Sequence, residues 1–404
     1  MRISTNMLYE MGGGKVSDLQ AALIKTQQQI STNRRVLTPA DDPIAAASII
    51  NLSQSMAMND QFATNRSSAK STLSEQDSIL NSISTLLQSV KTAVVGAGNA
   101  SMNDEQRKQY LAQLNSNYEE LLGLANTRDA KGDYIFGGFN TDNVPFTKTS
   151  TGANYNGDQG QRAMQVSASR QIATSDSGTR IFESTLTGNG SFTTSAGAAN
   201  AGTGVIDIGS VTNLTQLNGA TYTVTFSVDA TTGDRTYLIN EVPAPATPHT
   251  AQPYTSDQPI EVNGMQFTIK GEPADGDTFK VEPSKSQSIF TTLKDLISAI
   301  SQPGTGGVNQ AKLNNALSAI NNHIDRTLDT VATVRSGVGS RLNEIESLDS
   351  TGDDLNVQYT ATMADLRDID LVAAYSLFTQ QQYTLQAAQQ SFVKLTGLSL
   401  FNYI

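Results

Sequence analysis

Cysteine and tryptophan are both absent from the 404 residues. Without thiols, disulfide frameworks, thiolate nucleophiles and cysteine-held zinc or iron–sulfur sites are excluded together. Histidine is scarce: His249 and His323 are the two in the chain, and neither has a second histidine at helical spacing. A metal pair of the H-x-x-x-H kind is therefore ruled out, and a histidine-centred active site has no support. Basic charge is short too, with 27 Lys plus Arg against 38 Asp plus Glu and a net charge of -11, so no nucleic acid is expected as a partner. No apolar run approaches the roughly 18 residues that a membrane helix needs. Met1 to Glu10 lack the basic-then-apolar order of a signal peptide. Neither a membrane partner nor a cleaved leader is expected.

Proline is missing from two long stretches. None lies between Pro43 and Pro145 and none follows Pro303, whereas seven fall from Pro243 to Pro283 among Gly, Thr, Ser and Asn. Proline ends helices and glycine marks turns, so the layout reads as helix, then strands, then helix. In the first arm Val16, Leu19, Leu23 and Ile30 keep the 3-4 spacing of a coiled-coil seam, with Thr26 between. Asp42 before Pro43 reads as an N-cap with proline at the first helical position. From there Ile49, Leu52, Met56 and Phe62 lead to Leu80, Ile83, Leu87, Val90 and Val94. Such a helix spans roughly 75 Å at its standard rise. Gly96 and Gly98 close it, and Ser101 with Asp104 has capping-box spacing ahead of a third helix through Leu111, Leu114, Tyr118 and Leu121.

The other arm mirrors the first. Leu317, Ile320, Ile324, Thr327, Val331, Val334 and Val338 keep a heptad that Ile345, Leu348 and Leu355 carry on; Leu371, Tyr375, Phe378, Leu385, Ala388, Phe392 and Leu395 form a last stripe. Helices this long do not bury their stripes alone. Between the arms, Tyr222, Val224, Phe226 and Val228 alternate with Thr and Ser as in a strand. Ile260 and Val262 precede Asn263-Gly264, with Met265, Phe267 and Ile269 after it, a hairpin signal; Phe279 and Val281 mark another strand. Ser184 to Thr203, small and polar, reads as loop.

The expected fold class is α+β: a long antiparallel helical bundle or coiled coil formed by the N- and C-terminal segments, with an inserted β-rich domain. Its expected parts are residues 1–42 and 367–404 as an inner helical domain, 43–146 and 285–366 as a helical core, and 147–284 as the insertion.

Several stretches together carry a resemblance. They are Ile30-Ser31-Thr32-Asn33-Arg34-Arg35-Val36, Pro39-Ala40-Asp41-Asp42-Pro43, the opening Met1-Arg2-Ile3-Ser4-Thr5-Asn6, and the terminus Leu395-Thr396-Gly397-Leu398-Ser399-Leu400-Phe401-Asn402-Tyr403-Ile404. The chain resembles the flagellin family of bacterial flagellar proteins. Asp42-Pro43, Gly132-Asp133-Tyr134-Ile135-Phe136-Gly137-Gly138, Pro145-Phe146 and the turn from Gly271 to Phe279 place the likeness nearer the hook–filament junction subunit than the filament flagellin, which remains the alternative. The resemblance implies a structural, non-enzymatic protein of the flagellum, needed for filament assembly. It implies type III export without a cleaved signal, an extracellular place, and an export chaperone on the C-terminal helix. It also implies a ring of copies between hook-associated protein 1 and flagellin. The expected assembly interface is Ile3, Leu8, Val16, Leu19, Leu23, Phe378, Leu385, Phe392, Leu395, Leu398 and Phe401; the family motif residues are Arg34, Arg35, Pro39, Asp41, Asp42, Pro43, Tyr134, Phe136, Gly137 and Gly138.

Plainer readings compete with any chemistry. Gly12-Gly13-Gly14-Lys15 has Val16 where a phosphate loop needs Ser or Thr, and reads as a kink between helical pieces. Asp41 and Asp42 serve a cap better than an acid–base pair, and no other catalytic group accompanies them. Asp349, Asp353 and Asp354 near Gly352 lack a calcium hand's alternation and read as a solvated helix interruption. Arg34 and Arg35 beside the two acids read as a salt-bridged corner or an intersubunit contact. No catalytic group, cofactor or metal is expected. A rival from another class is a glycan-binding insertion offering Tyr155, Tyr222, Tyr237 and Tyr254 to sugars.

Overall fold

The computed structural model describes residues 5–99, 102–243, 249–302 and 306–401. Among the described residues the α-helices are α1 Thr5–Thr32, α2 Pro43–Ala97, α3 Asp104–Ala125, α4 Ile289–Ser301, α5 Gly307–Arg367 and α6 Leu371–Phe401. Between α3 and α4 run β1 Phe146–Lys148, β2 Ala153–Tyr155, β3 Ala163–Ser167, β4 Arg170–Ala173, β5 Phe192–Ala196, β6 Val205–Ile206, β7 Ser210–Val211, β8 Thr221–Val228, β9 Arg235–Val242, β10 Gln252–Pro253, β11 Pro259–Val262, β12 Met265–Lys270 and β13 Thr278–Pro283. The α+β architecture is the expected one. The residues fall into two compact units, Met1–Thr64 with Ser347–Ile404, and Asn65–Glu346.

In the larger unit, ion pairs Lys91–Asp325 at 2.5 Å, Arg335–Asp77 at 2.9 Å and Lys70–Glu346 at 3.1 Å fix α2 and α5 antiparallel. The heptad residues Leu80, Ile83, Leu87, Val90 and Val94, with Ile324, Val331, Val334 and Val338, are buried. Two sheets pack through one core. The five-stranded sheet has the order β10-β9-β8-β13-β5, and β11-β12-β6 forms the other with β7 on β12. Tyr222, Val224, Phe226, Phe267, Ile269, Phe279 and Val281 fill that core. Each is worth about 1.5–3 kcal/mol on full burial. The β11–β12 turn is as expected: Val262 pairs with Met265, and Asn263 and Gly264 take φ of 43° and 76°.

A second core is aromatic. Phe146 lies 5.1 Å from both Phe182 and Phe290 between ring centroids, Phe136 lies 5.6 Å from Phe182, and Tyr118 meets Phe290 at 6.0 Å. It packs α3 and α4 over the short strands.

Four expectations are corrected. Ser184 to Thr203 is not all loop, because β5 pairs along β13 and buries Phe192 and Thr194. Gly12 to Gly14 make no kink, since α1 runs through them; a Cβ at Gly12 would lie 2.7 Å from the Phe392 ring, so the glycine serves close packing. Nor does α5 break at Gly352, whose carbonyl accepts the Asn59 side-chain amide at 2.8 Å. The cap of α3 is Asn103, bonded reciprocally with Gln106, two residues beyond the expected Ser101, which lies outside the described residues.

Candidate assembly surfaces

The smaller unit turns on a corner built from the motif residues. Asn33 at φ 53° ends α1, with Arg34 N–H reaching the Gln29 carbonyl at 3.1 Å. Asp41 then accepts from the N–H groups of Leu37 at 3.1 Å and Thr38 at 2.8 Å, and pairs with Lys25 at 2.6 Å. Asp42 caps α2 by accepting from Ala45 N–H at 3.0 Å, with Pro43 at the first helical position, and pairs with Arg35 at 3.1 Å. Arg35 also donates to the Leu366 carbonyl at 2.9 Å and, through its backbone, to the Arg367 carbonyl at 2.7 Å, while Arg34 bridges Asp368. The corner is thus salt-bridged within the chain. Pro39 sits exposed on it. Both carboxylates are held by donors, which leaves neither as a base.

The Lys25 ammonium and the Thr38 amide hold the Asp41 carboxyl at about 2, below the ordinary aspartate value. A depressed acid stabilises above its ordinary value and loses that contribution as pH falls through the lowered one. Protection of the Thr38 amide should therefore persist below about pH 4 and disappear near about pH 2. Amide exchange across that range checks it, and Asp41→Asn should remove the dependence.

The other motif segment is a packed turn. Arg128 stacks on the Tyr134 ring at 4.4 Å, and Phe136 is fully buried. Gly138 has φ +76°, and a Cβ there would meet the Asp158 carboxylate at 2.3 Å; one at Gly137 would meet the Asn140 carbonyl at 2.4 Å. That carboxylate accepts from Phe139 and Asn140 N–H, each at 2.9 Å, and from Gly160 N–H at 2.6 Å. These bonds, Phe139's foremost, hold Asp158 below its usual range. Both glycines are thus required by close approach.

The terminal helices carry two kinds of row. Val16, Leu19, Leu23, Phe378, Leu385 and Phe392 are half-buried inside the chain. Phe392 of α6 meets Tyr9 of α1 edge to face at 6.1 Å. Ile3 lies outside the described residues, as do the side chains of Leu8, Leu395, Leu398 and Phe401. One position along, Val372, Tyr375, Thr379, Tyr383, Gln386, Gln390 and Val393 form a second 3-4 row on α6 that is exposed throughout, Val372 at 82% and Val393 at 67%. The sequence pattern puts Tyr375 in the other stripe and hides the rest of this row, because polar Thr and Gln interrupt it. The signal that marks it is charge: Lys394 is the one charged residue among the 31 of α6. On α1, Met7, Met11 and Ile24 are exposed too.

Exposed apolar side chains crowd this unit. Of the large ones exposed among the described residues, 14 lie in it and 6 in the larger unit, although it is less than half as long. Its buried apolar side chains are Val36, Ala45, Met363 and Ala374 alone among those described. That is a small core for a unit of this size, with a large apolar surface left in water.

The glycan reading fails on geometry. Tyr222 is fully buried, Tyr254 donates to the Ile269 and Gly271 carbonyls, both at 2.9 Å, and Tyr155 donates to the Phe136 carbonyl at 2.9 Å. Three of the four rings thus belong to packing instead of an exposed platform, and Tyr237 is itself half-buried against Phe226. Among the described residues no three His, Asp or Glu side chains gather to hold a metal, and no helix is long and apolar enough to cross a membrane.

Known proteins are similar to this chain in sequence and in fold. The profile of the bacterial flagellin N-terminal helical region matches residues 3–141. Flagellar hook-associated protein 3 of Salmonella typhimurium is 28% identical over 402 residues, covering 99% of both chains. That of Escherichia coli is 29% identical over the same span and coverage. Among solved structures, the flagellar junction protein of Legionella pneumophila superposes with a TM-score of 0.72 at 29% identity, over 80% of this chain and 100% of that one.

Proposed function

The chain is a homologue of flagellar hook-associated protein 3, a structural protein of the flagellum and not an enzyme, and on that premise we propose that it is the subunit joining hook to filament. Copies form a ring whose lower contact is hook-associated protein 1 and whose upper contact is flagellin. The subunit is exported without a cleaved signal, with a chaperone on α6, and works outside the cell.

One observation carries the reading: among its described residues the unit built from both chain ends buries four apolar side chains and exposes 14 large ones. Neighbouring copies supply the missing cover. Apolar contact yields about 25 cal/mol per Å² removed from water, which a thin helical pair gains on one side only. The row Val372, Tyr375, Tyr383 and Val393 forms the intermolecular face, while Phe378, Leu385 and Phe392 hold α6 on α1. A junction meets unlike partners at its two ends, so its contacts run head to tail. The filament-flagellin alternative has less behind it, since the flagellin of Listeria monocytogenes aligns over 127 residues, 31% of this chain, while likeness to the hook-associated relatives covers 99% of it.

The test is a strain lacking the protein, complemented with the full chain or with one ending at Lys394. The expected result for the shortened chain is export into the medium, hooks without filaments and shed flagellin. Normal filaments grown on it would overturn the reading.

A further inference from the structure

The sheets of residues 188–283 join the helices through a neck. In it Thr187 N–H donates to the Lys285 carbonyl and Gln287 N–H to the Thr185 carbonyl, both at 2.9 Å, and Leu186 bridges Ser286. One face of α5 grips this neck with His323, Arg326 and Thr330, spaced so that they share a face. Arg326 donates to the Leu186 carbonyl at 3.0 Å and to the Asn189 carbonyl at 2.9 Å, and Thr330 meets the Thr185 hydroxyl at 3.3 Å. His323, 3% exposed, has Nε2 at 3.3 Å from the Thr185 carbonyl and Nδ1 at 2.8 Å from the Thr292 hydroxyl of α4.

A carbonyl only accepts, so Nε2 carries the proton and Nδ1 accepts from Thr292. A second proton on the ring must turn the Thr292 hydroxyl away, toward the Ser288 carbonyl at 3.3 Å. It also places a charge in a site nearly closed to water. The charged groups that face the ring are Asp295 of α4, which lines the same cavity of about 240 Å³, and Arg326 of α5; Thr185, Gln287 and Thr292 face it uncharged. Burial and the Arg326 charge oppose an imidazolium here, and they outweigh the Thr185 and Gln287 backbone groups, which favour it.

We propose that His323 is a proton-sensitive latch, closing the neck of the β insertion onto α5 when neutral and releasing it when protonated. Burial, with Arg326 adding to it, lowers the ring below the ordinary histidine value, while burial raises Asp295. The open neck therefore binds the proton more readily than the closed one. Closure is full above the ordinary value of about 6.5 and weakens as pH falls below it.

The test is amide exchange of the full chain from pH 7.5 to 4.5, corrected for intrinsic rates, following residues 184–190 with 222–228 as an internal control. The expected result is loss of protection in the neck but not in the control strand, abolished in His323→Gln and kept in Asp295→Asn. A flat profile in the unaltered chain, equal loss in the control strand, an unchanged loss in His323→Gln or its absence in Asp295→Asn would each overturn the latch.

Discussion

Val372→Glu combined with Tyr383→Glu is expected to abolish incorporation into the flagellum while leaving the subunit folded. Both side chains stand on the exposed row of α6, so in the free chain the glutamates meet water. Surface changes of this kind shift stability by about 0.5 kcal/mol or less. In an assembly that buries the row, each copy brings two carboxylates into an apolar contact whose helix offers Lys394 alone as a counter-charge. An unpaired buried charge costs about 3–5 kcal/mol, and each 1.4 kcal/mol is about tenfold in association. The measurements are circular dichroism of the purified variant, its presence in the medium, and filaments on complemented cells. Unchanged filaments would show that this face is open in the finished structure as well. Phe378→Glu makes the contrast, because it strikes the row packed inside the chain and should disturb the monomer itself.

That contrast shows where sequence reading reached and where it stopped. The helical seams were legible because the heptad is a local pattern, and so were Asp42-Pro43 and Asn263-Gly264, whose chemistry acts within a few residues. Which face of α6 is covered was not legible. Two rows one position apart satisfy the same periodicity, and only the approach of α1, with Gly12 against Phe392, decides between them. β5 was hidden for a related reason: Phe192-Thr193-Thr194-Ser195-Ala196 has little strand character of its own and is held by β13, more than 80 residues on. α4 had a readable signal in Ser288 followed by Ile289, Phe290, Leu293, Leu296 and Ile300, but its short length placed it below the long arms in prominence. Buried charge escaped altogether, since a hydropathy reading puts Asp and Arg outside.

Asp176 is the strongest case, and Asp176→Ala is the substitution expected to damage the fold most. Its carboxylate is fully buried and accepts from four side chains drawn from separate segments: Gln76 of α2 at 2.9 Å, Gln161 at 2.9 Å, Arg180 at 2.8 Å and Arg341 of α5 at 2.7 Å. Arg341 donates in addition to the Ala173 carbonyl at 3.0 Å, so the same guanidinium pins the β3–β4 hairpin to α5. Arg66 of α2 grips that hairpin at the Val166 carbonyl, 3.1 Å away. Removing the one anion leaves Arg341, whose side chain is 16% exposed, without its counter-charge, and losing one partner of a buried pair costs about 3–5 kcal/mol. Against a total stability of about 5–15 kcal/mol, that is a large share. Asp176→Asn keeps the shape and some of the hydrogen bonds but drops the charge, so its loss should be smaller, near the roughly 1.5–3 kcal/mol of hydrogen bonds to charged groups. Urea unfolding followed by circular dichroism orders the two variants. A loss below about 1 kcal/mol for Asp176→Ala would mean that water replaces the carboxylate, and that the hairpin is held by Arg66 and by the Arg170–Glu344 pair instead.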